Sequence, residues 1–176
     1  MKPADLEGHS SVHGLGRELI TILQEMDGAA RRLSEILRVE RASMSSLDLN
    51  SLESAAQRKV GLLQALQALE ARRKALVTDL SRYFGLTADV TVDELARHME
   101  KSQGELLIRQ AALLKDAVRD VQRENAVVAA LAEHSLLFLH EAFMVAHRAM
   151  MPAHSVYSSS GSTAAALEGG LLRQRG

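Results

Sequence analysis

The chain has 176 residues, which is enough for one domain with a real core and too few to favour two. Its 21 lysines and arginines and 22 aspartates and glutamates are interspersed, so we expect no binding to nucleic acid. The absence of cysteine excludes a disulfide framework, a thiol nucleophile and a thiolate metal site. Acidic residues near the start, where a secretory signal would need its apolar run, predict that no such signal is present.

The first predicted helix has the spacing of a coiled coil. From Leu15 to Glu40, apolar residues recur at alternating steps of four and three, and Glu40 is the one polar member. The pattern fades at residues 43–46, and Asn50 followed by Glu53 predicts a capping box that begins the next helix. We therefore expect a turn at residues 43–49. The seam positions are 15, 19, 22, 26, 29, 33, 36 and 40.

The second predicted helix continues this pattern from Leu52 to Leu80. Lys59 and Arg73 interrupt the seam, and we expect their aliphatic stems to cover it while their charges reach water. Gly85 stands where a left-handed cap residue ends a helix. Because the connection between the two helices is short, they are predicted to be antiparallel neighbours in a hairpin. The seam positions are 52, 55, 59, 62, 66, 69, 73, 76 and 80.

A short helix and then a third long helix follow. Thr91 and Glu94 form a second capping box, and the short helix is predicted to end or bend near Gly104. The long helix is predicted from Glu105 to Ala149, with a seam broken only by Asn125 and Ser135. Asn125 is expected to fix the register of the helices. The seam positions are 107, 111, 114, 118, 121, 125, 128, 132, 135, 139, 142 and 146.

These elements predict an all-α fold, an elongated antiparallel three-helix coiled coil (up-down-up) with a short extra helix and a flexible C-terminal tail. The expected divisions are a flexible N-terminal segment at 1–14, a coiled-coil domain at 15–151 and a flexible Ser/Gly-rich tail at 152–176. The uncharged stretch 149–167 contains a proline, a glycine and six serine or threonine residues, so we predict no membrane insertion.

The C-terminal half of the third helix is apolar on a second face. Ala130, Leu137, Met144 and Met151 repeat every seven residues and, at 100° per residue, lie roughly opposite the seam. Three interpretations stay open. The stripe is core between the other helices, a groove wall for a partner helix, or a homodimer interface.

The sequence contains no pattern typical of an active site. His134, His140, His147 and His154 lack a glutamate three residues before them, which a di-metal carboxylate bundle would require. There is no His-Glu-x-x-His motif and no phosphate-binding loop. We therefore predict that the protein is not an enzyme and uses no metal or other cofactor.

Several features together resemble one known family. The second helix reads Lys59-x-x-x-Leu63-x-x-Leu66-x-x-Leu69-Glu70-x-x-Arg73-x-x-Leu76, the third contains Glu124-Asn125, and Tyr157-x-x-x-Gly161 follows. Over residues 15–161 this order resembles the FlgN family of flagellar type III export chaperones. Two features depart from the family pattern. Val127-Val128-Ala129 replaces a frequent second asparagine, and three serines follow Tyr157.

The resemblance implies a cytoplasmic chaperone. Such a protein binds the C-terminal helical regions of hook-filament junction (hook-associated) proteins, prevents premature assembly and delivers them to the cytoplasmic part of the flagellar export gate. The tail tyrosine is interpreted as an anchor for the gate. The alternative is a self-associating coiled-coil adaptor or structural protein without an export role. The candidate partner-binding residues are Leu137, Phe143, Met144, Met151, Tyr157 and Gly161.

Overall fold

A computed structural model of the chain describes residues 3–87 and 89–150, with side chains from residue 12 to residue 148 in those ranges. The described residues form four helices and no strand, so the predicted all-helical fold is confirmed. The chain divides into two compact units, Met1–His134 and Ser135–Gly176, and α4 contributes residues to both. The helices are α1 (Pro3–Ser46), α2 (Leu49–Phe84), α3 (Val92–His98) and α4 (Lys101–Met150).

The helix ends follow local capping chemistry. The Thr91 hydroxyl accepts the Glu94 amide hydrogen at 3.2 Å, and Gly85 has φ 69°, as predicted. The start of α2 differs from the prediction, because Asp48 rather than Asn50 is the N-cap. The Asp48 carboxylate accepts the Ser51 amide hydrogen at 3.1 Å.

The core of the first unit lies along the predicted seams of α1 and α2. Every residue at the eight α1 positions and the nine α2 positions is buried or half-buried. Leu19 and Ile22 of α1 meet Leu80 of α2, Leu95 of α3 and Leu107 of α4, each at most 2% exposed. Burial of these five side chains stabilises this unit through the hydrophobic effect.

Over part of α4, the buried residues lie one position before the residues of the predicted seam. Ala117 and Glu124 are buried, whereas the predicted Val118 and Asn125 are exposed. The prediction that Asn125 fixes the register is therefore wrong. Glu124 takes the inward position because two arginines of α1 bind its carboxylate.

Lys59 and Glu40, which interrupt the seams of α2 and α1, bind each other. The Lys59 Nζ atom lies 2.6 and 2.7 Å from the two carboxylate oxygens of Glu40. Apolar spacing did not indicate this carboxylate as a partner for the Lys59 charge, and the Lys59 side chain is half-buried. Arg72 of α2 pairs with Glu18 of α1 at 3.1 Å. The earlier residue of α1 therefore pairs with the later residue of α2, which is the order expected for antiparallel helices. The up-down-up order over all three long helices stays a prediction.

Arg73, the second interruption on α2, binds within its own helix. Its guanidinium donates to both carboxylate oxygens of Glu70, at 2.7 and 2.8 Å. The hydrogen bond from Arg73 lowers the pKa of Glu70, and the charges of Arg73 and Lys74 lower it further. The same hydrogen bond raises the pKa of Arg73, which stays half-buried over the seam.

The described part of the second unit is the last portion of α4. No side chain between residues 136 and 148 is buried. The predicted boundaries at residues 14 and 151 stay predictions, although α1 begins at Pro3, before the first seam residue Leu15.

Candidate partner-binding surface

The C-terminal part of α4 exposes a dense group of large apolar side chains. Seven occur between residues 136 and 145, and six of these are at least 62% exposed. The segment stays helical because it is rich in leucine, alanine and methionine and contains no proline before Pro152. An apolar helix without a covering partner is unusual for a soluble protein. The seven side chains are Leu136, Leu137, Phe138, Leu139, Phe143, Met144 and Val145.

These side chains point in all directions around the helix axis. At 100° per residue, Leu137 and Met144 lie on one line, and Phe138 and Val145 lie on a second, about 100° away. Leu136, Leu139 and Phe143 lie on the remaining side of the helix. A single helix packed on one side could not cover all three directions. The segment therefore offers more apolar surface than an amphipathic helix with one partner face.

Three of the six candidate residues lie within the described side chains. Leu137 is 63% exposed, Phe143 is 68% exposed and Met144 is 36% exposed. The Phe143 ring stacks on the His147 imidazole, with ring centroids 6.2 Å apart. This exposure is what a surface for a partner requires, and the binding role of the three residues stays a prediction. Met151, Tyr157 and Gly161 lie outside the described residues.

In the first unit, a charged clamp fixes α4 to α1 a few turns before this segment. The Glu124 carboxylate accepts hydrogen bonds from Arg38 at 3.0 Å and from Arg41 at 3.2 Å. The hydrogen bond from Arg38 lowers the pKa of Glu124, and the charges of Arg41 and Arg123 lower it further against the opposing effect of burial. Four residues further on, Val128 packs against Leu33 and Leu37.

Sequence reasoning missed this clamp, although a signal was present. Glu124 and Asn125 are the Glu-Asn pair on which the family resemblance partly rests. Apolar spacing places Asn125 on the buried face, whereas Glu124 is the buried residue. A carboxylate in phase with Ala117 and Val128 indicates an inward position once basic partners on α1 are considered.

The described side chains offer little for metal or cofactor binding. No group of three or more potential metal ligands occurs among them. Phe143 and His147 stack, and His140 is exposed.

By length and composition, one described helix could cross a membrane. It is the portion Lys101–Arg148 of α4, where the best 18-residue window has a mean hydropathy of 1.3 and is 6% buried. A single helix of this kind is weak evidence for a membrane span.

The fold and this surface define the class of an all-helical protein in which the described C-terminal part of a long helix exposes large apolar side chains. Comparison with protein families gives a match to the FlgN protein family over residues 15–165. The chain belongs to the FlgN family. Since this is a family of flagellar export chaperones, membership supports that general role. No curated protein and no solved structure matches the chain significantly.

Proposed function

We propose that this protein is a cytoplasmic flagellar export chaperone that binds the C-terminal helical regions of hook-filament junction proteins. Binding covers helical ends that would otherwise associate too early, and the complex is then delivered to the cytoplasmic part of the export gate. The residues proposed to contact the cargo are Leu137, Phe143, Met144 and Met151. No catalytic step and no cofactor is part of this proposal.

The observation that carries the proposal is the exposure of seven large apolar side chains between residues 136 and 145. An amphipathic cargo helix can bury its apolar face against such a segment. Met144 adds an unbranched, adaptable side chain, and the phenylalanines add large contact areas. Few charges interrupt the segment, with Glu141 and Arg148 the only ones between residues 135 and 150.

The proposal is tested with a double substitution, Leu137→Asp with Met144→Asp. Binding of a C-terminal helical segment of a hook-filament junction protein is measured by isothermal titration calorimetry. We expect affinity to fall at least a hundredfold, because two charges would have to be buried at the interface. Helicity and melting should change little, since neither side chain is buried.

The matched control is Leu106→Asp with Leu113→Asp. These leucines lie on the same helix with the same seven-residue spacing, and are 47% and 41% exposed. The control protein should bind cargo like the parent. Equal affinity for the parent and the Leu137/Met144 variant would contradict the proposal, and unfolding of that variant would show that the stripe is core.

Delivery to the gate is proposed to depend on Tyr157 and Gly161, which lie in the tail. A tyrosine contributes a large ring with few rotatable bonds and a hydroxyl that can hydrogen-bond. Tyr157→Ala should retain cargo binding and lose about 2 kcal/mol or more of binding free energy for the cytoplasmic part of the gate. Unchanged gate affinity would show that the tyrosine is incidental.

The finer arrangement of the helices belongs to the same proposal. The up-down-up order is supported by two pairs that α1 forms with each of the other long helices. With α2, Glu18 and Glu40 pair with Arg72 and Lys59, in reversed order. With α4, the His13 carbonyl and Arg38 pair with Gln103 and Glu124, in the same order. A coiled coil of this kind holds α4 by its first part and leaves its later part available for cargo.

Self-association is the competing use of the same apolar segment. Because its apolar side chains surround the helix axis, more than one helix is needed to cover them. A second copy of the chain could supply one of these covering helices. Light scattering after gel filtration decides between these uses. A monomeric mass at high concentration removes the self-associating adaptor, and a dimer that dissociates on adding cargo is compatible with a chaperone.

A further inference from the structure

The exposed end of α4 carries an ordered set of charged and apolar residues on one face. Its four members are an acidic residue, two apolar residues three and four positions later, and an arginine seven positions later, so they share one face of the helix. The two apolar side chains are 36% and 66% exposed, and both charged residues are exposed. The four residues are Glu141, Met144, Val145 and Arg148.

The same pattern occurs once more in the sequence, at residues 168–175, which lie outside the described residues. There too, an acidic residue is followed at the third and fourth positions by two large apolar residues and at the seventh by arginine. No other acidic residue of the chain is followed by this combination at this spacing. Both stretches belong to the second unit. The members of the second set are Glu168, Leu171, Leu172 and Arg175.

The two sets are complementary in an antiparallel arrangement. Glu141 then faces Arg175, and at the other end Arg148 faces Glu168, so each carboxylate meets a guanidinium. Between these two pairs, the apolar residues of one stretch meet those of the other. A parallel arrangement would place like charges opposite each other, which is unfavourable. The charges therefore select the antiparallel order.

The connection between the two stretches allows the chain to reverse its direction. Residues 149–167 can extend over roughly 60 Å at 3.3 Å per residue, whereas packed helices lie only about 10 Å apart. Pro152 and Gly161 within the connection are residues that favour turns. Because both stretches are on one chain, their effective concentration is of about millimolar order. The tail stretch is therefore favoured over a second copy as the occupant of this face.

We propose that residues 168–175 fold back as a helix over Met144 and Val145 and compete with cargo for this face. The inference rests on the proposed function, because Met144 is one of the proposed cargo contacts. Gly169 and Gly170 are poor helix formers, so the cover forms for part of the time and cargo can displace it. A cover present for about two thirds of the time raises the apparent Kd for cargo about threefold. It slows amide exchange beneath it by no more than that factor, so exchange there stays fast.

Because the chain contains no cysteine, disulfide trapping tests the contact directly. In the antiparallel register Val145 lies opposite Leu171, so Val145→Cys with Leu171→Cys should form an intramolecular disulfide on mild oxidation, measured by mass spectrometry after digestion. The matched control is Phe143→Cys with Leu171→Cys. Phe143 is 68% exposed and Val145 is 66% exposed, but the two lie about 160° apart around the helix. The control disulfide should form at least about fivefold more slowly.

Exchange of charges tests the register. Glu168→Arg with Arg175→Glu should slow formation of the disulfide between positions 145 and 171, because like charges then meet at both ends. Adding Glu141→Arg with Arg148→Glu should restore the parent rate, since both pairs are then re-formed with their signs reversed.

Two results of these trapping experiments would overturn the inference. The first is equal trapping at positions 143 and 145 together with no effect of the charge exchange, as expected of a tail that does not pair. The second is formation of disulfide-linked dimers in place of the intramolecular bond, since the occupant would then be a second copy.

Cargo binding separates this inference from the proposed function. Leu171→Asp with Leu172→Asp removes the cover, and affinity for a C-terminal helical segment of a hook-filament junction protein should rise about threefold. Gly169→Ala with Gly170→Ala strengthens the cover, and affinity should fall about fivefold or more. Parent-like affinity of both variants would overturn the inference and leave the proposed function standing. No binding by the parent would overturn the proposed function, whereas the disulfide measures the tail contact without cargo.

Discussion

Gly104 lies where the start of α4 passes close to α3. A Cβ atom at this position would lie 2.5 Å from the carbonyl oxygen of Ala96, and backbone atoms cannot move aside as a flexible side chain can. Gly104→Ala should therefore lower the free energy of unfolding by roughly 1–3 kcal/mol. Urea denaturation measures the change.

Gly28→Ala is the control for this substitution. Gly28 lies inside α1 with nothing within 4 Å of an added Cβ atom. Alanine there should raise the free energy of unfolding by about 0.5–1 kcal/mol, because glycine is the poorer helix former. Equal shifts of the same sign in both variants would contradict the assigned close approach of α3 and α4.

At Glu124, stability should depend on pH. Its pKa is lowered in the folded protein, chiefly by the hydrogen bond from Arg38. The stabilisation is therefore present in full above the ordinary glutamate pKa and is lost as pH falls through the lowered value. Glu124→Gln should make the protein less stable than the parent at neutral pH, and the difference should narrow near roughly pH 3.

Urea midpoints of both proteins at the two pH values test this dependence. Glu70 also has a lowered pKa, so the variant should keep part of the acid sensitivity. A difference between variant and parent that is the same at both pH values would show that the Glu124 carboxylate does not act through its charge.

At the scale of elements, the two parts of α4 should differ in local stability. Leu107 and Val128 in the first part are buried, whereas no side chain from residue 136 to residue 148 is. Hydrogen exchange followed by mass spectrometry should show fast exchange at residues 136–148 and slow exchange around the clamp. Adding the cargo segment should slow exchange in the fast part. Strong protection there without a partner would contradict the assigned exposure.

The seams of α1 and α2 could be predicted because both arms carry regular apolar spacing. The face of α4 could be predicted only in part. Gln103 turns inward to donate to the His13 carbonyl oxygen at 3.0 Å, and Glu124 turns inward toward two arginines. Both depend on partners distant in sequence, which apolar periodicity cannot show. Spacing indicated that residues such as Leu137 form a second apolar face, but not that this face stays uncovered.

At the scale of the whole molecule, stability and binding are assigned to different residues. The buried leucines around Leu19 and Leu107 stabilise the first unit, while the described members of the proposed cargo contacts, Leu137, Phe143 and Met144, are exposed. This separation is why substitutions at Leu137 and Met144 are expected to change binding without unfolding the protein. Cargo binding itself can be tested by a single direct observation.

That observation is native mass spectrometry of the full-length protein purified from flagellated cells. We expect a complex with a hook-filament junction subunit, present for the parent and the Leu106/Leu113 control and absent for the Leu137/Met144 variant. A parent protein found only alone or as a homo-oligomer, in cells that produce the junction subunits, would contradict it.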